Sequence, residues 1–146
     1  MPEYPSRKWP RLKTHDYSAE GFYFITICTK GRKCMLSDIV LDAANEPVLT
    51  LSEYGQAADS FIQSTPGIDK YVIMPNHIHM IIHKTNGKSI ANDVRSFKAL
   101  TTKKTGVGIW QDSYYDHVIR DEQDYLIKWN YIDSNPAKWL DDEYHP

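Results

Sequence analysis

The sequence predicts an α+β fold in which helices pack on a mostly antiparallel sheet, and three observations carry that expectation. The 146 residues suffice for one ordinary domain and are too few for two. Hydrophobic spacing switches repeatedly between period two and helical period along the chain. The elements follow the order strand, small hairpin, helix, strand, helix, strand, helix, with no internal repeat and none of the βαβ regularity of a parallel sheet. With 41% hydrophobic and 25% charged residues, the composition is that of a globular protein.

Each element has a local cause. Residues 1–20 read as a basic arm with Pro2, Pro5 and Pro10 among Arg7, Lys8, Arg11 and Lys13, leaving a single domain over 21–146. Residues 22–29 are aromatic and β-branched and end at Lys30-Gly31-Arg32-Lys33, which predicts a central strand closed by a turn. Val40-Leu41 and Val48-Leu49 flank a polar run and form either a small hairpin or a surface loop. Leu51, Tyr54, Ala58, Phe61 and Ile62 recur at helical spacing until Thr65-Pro66-Gly67. Residues 71–83 read as one strand, interrupted near its start by Pro75-Asn76.

Asn86-Gly87 signals a turn, and Ser89 an N-cap for a helix with Ile90, Val94, Phe97 and Thr101 on one side. Residues 107–110 and 114–119 supply one or two further strands. Asp121 caps a last helix that runs to about Ser134, where Pro136 stops it.

Charge and composition narrow the function. No run of 18 apolar residues exists, and residues 1–10 are polar where a signal peptide is apolar, so a cytoplasmic protein is expected. Cys28 and Cys34 are too few for a disulfide framework. The net charge of -2 conceals segregation. Residues 1–33 hold seven Lys/Arg against three acids and residues 84–104 six against one, whereas residues 111–146 hold nine acids against three bases. Such a chain presents basic faces to a polyanion or simply solvates them.

Two short constellations carry chemistry. In a strand, His77 and His79 project to one face while Ile78, Met80 and Ile82 fill the other. Two imidazoles about 7 Å apart at their Cα atoms can converge on one ion, or sit as a polar pair on a sheet face. Completed by an amide or carboxylate oxygen, the pair suits Mg²⁺ or Mn²⁺. A zinc site recruiting Cys28 and Cys34 ranks lower, their spacing being no standard knuckle. His83 shares the face but lies farther along, as a surface residue. In the last helix, Tyr131 and Asn135 stand one turn apart on a common face, distinct from the core stripe of Tyr125, Trp129 and Ile132. They form either a site or an ordinary helix end.

Taken together, these segments resemble the REP-associated tyrosine transposases of the single-tyrosine HUH superfamily. The resemblance rests on Met74-Pro75-Asn76-His77-Ile78-His79, a helix bearing Lys98, Trp110-Gln111, Tyr114 to Arg120, and Tyr131-Ile132-Asp133-Ser134-Asn135-Pro136. Tyr23-Phe24-Ile25-Thr26 and Arg32 add to it, so that roughly residues 17–140 match in order.

The resemblance implies a ferredoxin-like, HUH endonuclease-type fold that cleaves single-stranded DNA and transfers the strand. It makes Tyr131 the nucleophile, ahead of Tyr114 and Tyr115, and His77, His79 and Asn135 the ligands of Mg²⁺ or Mn²⁺. A phenol with pKa near 10 is a poor nucleophile at neutral pH, which is why the chemistry needs a Lewis acid. The partner implied is single-stranded DNA with an adjacent hairpin, contacted by Arg95, Lys98, Lys103, Lys104, Arg120 and the arm residues Arg7, Lys8 and Arg11. A monomer is favoured over a helix-swapped dimer.

Rival readings are a hairpin-binding module or inactive relic, and a zinc protein of unrelated function. The acid-rich residues 111–146 and the short stretch after Pro136 leave a mobile-element transposase and a domesticated repeat-processing nuclease both open.

Overall fold

The aromatic and β-branched run forms β1 (Gly21–Cys28), the strand on which the rest of the molecule is organised. The computed structural model describes residues 20–85 and 89–146, so Arg7, Lys8, Arg11, Lys13 and the Asn86-Gly87 turn lie outside the described residues. After β1 come β2 (Ser37–Leu41), β3 (Pro47–Leu51), α1 (Glu53–Gln63), β4 (Ile68–Ile73), β5 (His77–Lys84), α2 (Ile90–Thr105), β6 (Tyr115–Ile119) and α3 (Glu122–Ser134). A four-stranded sheet has the order β4-β5-β1-β6, every neighbour antiparallel, and β2 with β3 makes a separate hairpin. Without that hairpin the order is βαββαβ followed by α3, so the expected ferredoxin-like core carries one added helix.

Strand parity divides the sheet into two packed faces. Tyr23, Ile25 and Ile27 of β1 join Ile78, Met80 and Ile82 of β5 beneath Ala58 and Ile62 of α1 and Ile90 and Val94 of α2. The opposite parity places Phe22, Phe24 and Ile81 against Tyr125 and Ile132 of α3. Ser52, Ser89 and Asp121 cap the three helices through their side-chain oxygens. At Gly55 a Cβ would stand 2.0 Å from the Leu36 carbonyl oxygen, so the close approach of α1 to that segment requires glycine.

The structure corrects two expectations. Residues 71–83 are the second half of one strand and most of another, reversing at Met74-Pro75-Asn76, where Met74 N–H donates to the His77 carbonyl at 2.8 Å. Apolar residues on both sides conceal the reversal, and Pro75 has no N–H for a continuous ladder. Residues 107–110 form no strand. Gly106 ends α2 in a left-handed conformation, and the following segment pairs with the end of β1 through the isolated Thr29–Trp110 bridge, with Gln111 N–H donating to the Cys28 carbonyl at 2.9 Å. Beyond α3 the backbone continues as a 3-10 helix, Pro136–Asp141, since proline is compatible with a helix's first turn.

Candidate nucleic-acid-processing site

The site lies on the α3 side of the sheet, where β5 begins and β1 ends. Thr29 fixes this corner: its N–H donates to the Asn76 carbonyl at 3.0 Å and its hydroxyl to the Lys33 carbonyl at 2.8 Å. His77 and His79 share the α3 face as parity requires, but neither is a surface residue, with exposures of 0% and 1%. Their ring centroids are 4.5 Å apart.

Each imidazole is held through Nδ1. His77 Nδ1 lies 2.8 Å from Asn76 Oδ1, and the Asn76 amide is oriented by donating through Nδ2 to the carbonyls of Arg32 (3.2 Å) and Tyr144 (2.7 Å). Asn76 Oδ1 is therefore the acceptor, the His77 proton resides on Nδ1, and Nε2 keeps its lone pair. His79 Nδ1 lies 2.7 Å from Thr26 Oγ1, directly across the ladder. Burial is the main force that pushes His77 down to about 4, opposed by the Asn135 side chain and aided by the Arg32 charge. Burial, then the His77 and Lys128 charges, drives His79 to about 2. Both rings are neutral at pH 7, the form in which imidazole binds metal.

Tyr131 and Asn135 approach this pair from α3. Asn135 retains helical backbone angles at the helix C-cap (φ -58, ψ -44), which keeps it one turn above Tyr131 even though the α-helix has ended. The Tyr131 ring is 5.1 Å from the His79 ring and 6.1 Å from Phe24, and the residue is 37% exposed. Burial followed by the charges of Asp142 and Glu143 raises its phenol above the usual value, against an opposing contribution from the Asn135 amide.

Three donors expected from the sequence thus meet within one chain, and each presents an unpartnered buried atom: His77 Nε2, His79 Nε2 and Asn135 Oδ1. Buried polar atoms are almost always satisfied. Two bare imidazole nitrogens and an amide oxygen are what a divalent cation with mixed nitrogen and oxygen preference would satisfy. The zinc alternative lacks its cluster, because among the described residues no group of three or more His, Cys, Asp or Glu side chains is placed to hold a metal. Cys34 is exposed, and Cys28 is half-buried beside His77 in register, its thiol raised mainly by burial.

Several participants carry no separate sequence signal. Thr26 is legible only once its register with His79 is known. Lys128, one turn before Tyr131, brings a cation to within 5.3 Å of the Phe24 ring. Tyr144 stacks on His77 with centroids 4.3 Å apart, while Arg32 covers the outer tyrosine ring at 4.8 Å. His83 stacks on Phe22 instead of joining the site. Tyr114 packs against the first core and Tyr115 is exposed, so neither approaches the His pair as Tyr131 does.

The basic residues divide by location. Arg95, Lys103 and Lys104 are exposed on α2, the helix that packs on the sheet face opposite the His pair. Arg95 donates to Asn92 Oδ1 at 2.8 Å. Lys98 donates to the carbonyls of Gln111 (2.6 Å) and Ser113 (3.1 Å), tying α2 to the segment after Trp110. Arg120 is exposed at the end of β6. Among the described residues no helix is long and apolar enough to cross a membrane.

Known proteins resemble this chain in sequence and fold. An uncharacterized protein of Haemophilus influenzae is 33% identical across 95% of this chain and 93% of its own length. A second Haemophilus influenzae protein, whose provisional name is REP-associated tyrosine transposase, is 26% identical across 84% of this chain and 74% of its own. A solved REP-associated tyrosine transposase bound to a REP hairpin superposes with a TM-score of 0.60 at 25% identity, covering 94% of this chain and 74% of that one. No family profile matches the chain.

Proposed function

The chain belongs to the REP-associated tyrosine transposases, and from that premise we propose that it cleaves single-stranded DNA beside a folded hairpin and transfers the strand through Tyr131. The observation that carries the reading is the meeting, within one chain, of the Tyr131 ring with the unpartnered His77 Nε2, His79 Nε2 and Asn135 Oδ1. This completeness in cis favours a monomer as the working unit.

In the proposed reaction, Tyr131 Oη attacks the scissile phosphorus. A phosphorus–oxygen bond forms to the tyrosine as the bond to the 3′-oxygen breaks. The phenolic proton is lost and the released 3′-oxygen gains one. The 5′-phosphotyrosine keeps the phosphodiester linkage, so a second 3′-hydroxyl can resolve it without ATP. Because the site raises the Tyr131 phenol, the protein alone does not supply the phenolate.

His77, His79 and Asn135 would hold Mg²⁺ or Mn²⁺, which when bound supplies Lewis-acid polarisation of a phosphate oxygen. Asn76 keeps His77 in the ligating tautomer, and Thr26 holds the orientation of the His79 ring. Lys128 adds positive charge near Tyr131, where the DNA phosphate must lie. The exposed bases on α2 and Arg120 are candidate phosphate contacts.

The solved neighbour's hairpin supports a hairpin partner for this chain as well. The test is incubation with labelled single-stranded oligonucleotides carrying hairpins from repeats flanking the gene, with Mn²⁺, Mg²⁺ or EDTA. A denaturation-resistant adduct that needs the cation and vanishes in Tyr131→Phe is the expected result. Hairpin binding without an adduct in any condition would instead make the protein a binding module or an inactive relic.

A further inference from the structure

On the sheet face opposite the His pair, α1, α2, β4 and β5 enclose a cavity of about 280 Å³. Phe61 of α1, Phe97 and Leu100 of α2 and Met80 of β5 give it apolar walls, and Leu100, 46% exposed, stands at its rim. Two charged residues also line it, Lys84 and Asp93. Lys84 ends β5 with a side chain only 2% exposed, and among the described residues its ammonium has one hydrogen-bond partner, Asp93 Oδ2 at 2.5 Å.

An ammonium carries three N–H donors, so two remain to be satisfied in a site closed to bulk water. Leaving such donors unmade is costly, and a charged donor more so. The cavity therefore asks for a ligand with a flat apolar body, two adjacent acceptors for Lys84 and a neighbouring donor for the Asp93 carboxylate. Its volume lies near the lower end of ligand cavities, about 300–1,000 Å³, which suits one ring system. Among the DNA bases, guanine sets two acceptors, O6 and N7, side by side, and its N1–H lies next to O6. On the corresponding edge adenine pairs N7 with an amino donor, cytosine offers an amino donor, and thymine has a single acceptor beside a methyl group. Phe61 and Phe97 add the aromatic surface on which unpaired bases settle.

We propose that this cavity is a guanine-binding site, with Lys84 donating to O6 and N7 and Asp93 accepting from N1–H. An unpaired guanine of a DNA strand is favoured as its source over a free nucleotide. Lys103 and Lys104, both exposed, stand one turn beyond Leu100 on the same stripe of α2, where phosphates flanking an inserted base would meet them. That source rests on the action on single-stranded DNA proposed above, whereas recognition of the base does not.

The experiment measures binding of short labelled oligothymidylates, unsubstituted or carrying one central dG, dA or dC, to the full-length chain in EDTA by fluorescence anisotropy. Guanosine monophosphate is titrated by calorimetry, and the Tyr131 adduct assay is run on the same preparation. Lys84→Met removes the ammonium while keeping an unbranched stem. Leu100→Trp fills the cavity from its rim without altering the buried pair, so it tests the site even where Lys84→Met does not fold, as judged by circular dichroism. The expected result is about tenfold tighter binding of the dG oligonucleotide than of the other three, falling below about twofold in each folded variant. Guanosine monophosphate binding that is lost in Leu100→Trp, with no preference among the oligonucleotides, would uphold the guanine site and overturn the strand as its source. Equal affinities and no guanosine monophosphate binding, in a wild type that still forms the adduct, would overturn the site and leave the proposed cleavage standing. A dG preference unchanged in both variants would equally remove it from this cavity. A dG preference lost in the variants, in a protein that forms no adduct, would uphold the site and overturn the cleavage reading.

Discussion

Thr26 and His79 face each other across the β1–β5 ladder, with Thr26 Oγ1 2.7 Å from His79 Nδ1 in a contact closed to solvent. The register of two strands far apart in sequence thereby decides which nitrogen of His79 is held and which is left without a partner. Replacing the hydroxyl by a methyl in Thr26→Val keeps the shape and removes the partner. We expect Mn²⁺ affinity to fall by about 10- to 100-fold, with loss of stability limited to about 1–3 kcal/mol, the cost of an unsatisfied buried nitrogen. Calorimetric titration and urea unfolding of the same preparation check both.

The pH dependence of stability without metal has a defined sign. His77 and His79 are pushed down to about 4 and about 2 in the folded protein, whereas unfolded histidine titrates near 6.5. Between these values the unfolded chain binds more protons, so their contribution is present above pH 6.5 and lost as pH falls through that window. Each histidine should contribute about 1.4 kcal/mol per pH unit. Urea unfolding in EDTA from pH 7 to pH 5 should show this slope, and His77→Asn should remove about half of it.

Lys98 and the exposed bases of α2 should separate in a salt titration of hairpin binding. Lys98→Met removes two bonds to carbonyls and should cost about 1 kcal/mol of stability, since the site is partly solvated. Lys103→Ala combined with Lys104→Ala should leave stability unchanged and reduce the slope of log affinity against log salt by about 2. An unchanged slope in the double variant would remove both residues from the DNA surface.

Gly55→Ala tests the packing of α1. A methyl group 2.0 Å from the Leu36 carbonyl oxygen forces backbone apart, because no flexible side chain is there to yield. A loss of about 3 kcal/mol is expected by urea unfolding. Leu36 N–H donates to the Pro75 carbonyl at 2.9 Å, two residues before His77, so a displaced Leu36 should also lower the Mn²⁺ affinity of the folded fraction, which calorimetric titration checks.

Local chemistry was readable from the sequence. The aromatic run of β1, the caps at Ser89 and Asp121, the shared face of His77 and His79, and the helical spacing of Tyr131 and Asn135 each depend on residues a few positions apart. Backbone periodicity fixes such relationships without help from the rest of the chain. The reversal at Pro75-Asn76 was misjudged because apolar β-branched residues continue on both sides, and hydrophobicity alone does not show a change of direction.

The tertiary structure decided what surrounds those residues. Both sheet faces are covered, which turns a half-exposed histidine pair into two buried neutral rings. Thr26 meets His79 through strand register, and Asp142 and Tyr144 reach His77 only because the chain after α3 folds back over the site. These contacts span tens of residues and have no local period. They are set by packing α3 on the sheet and by satisfying the polar groups which that packing buries, a balance that exists only in the assembled fold.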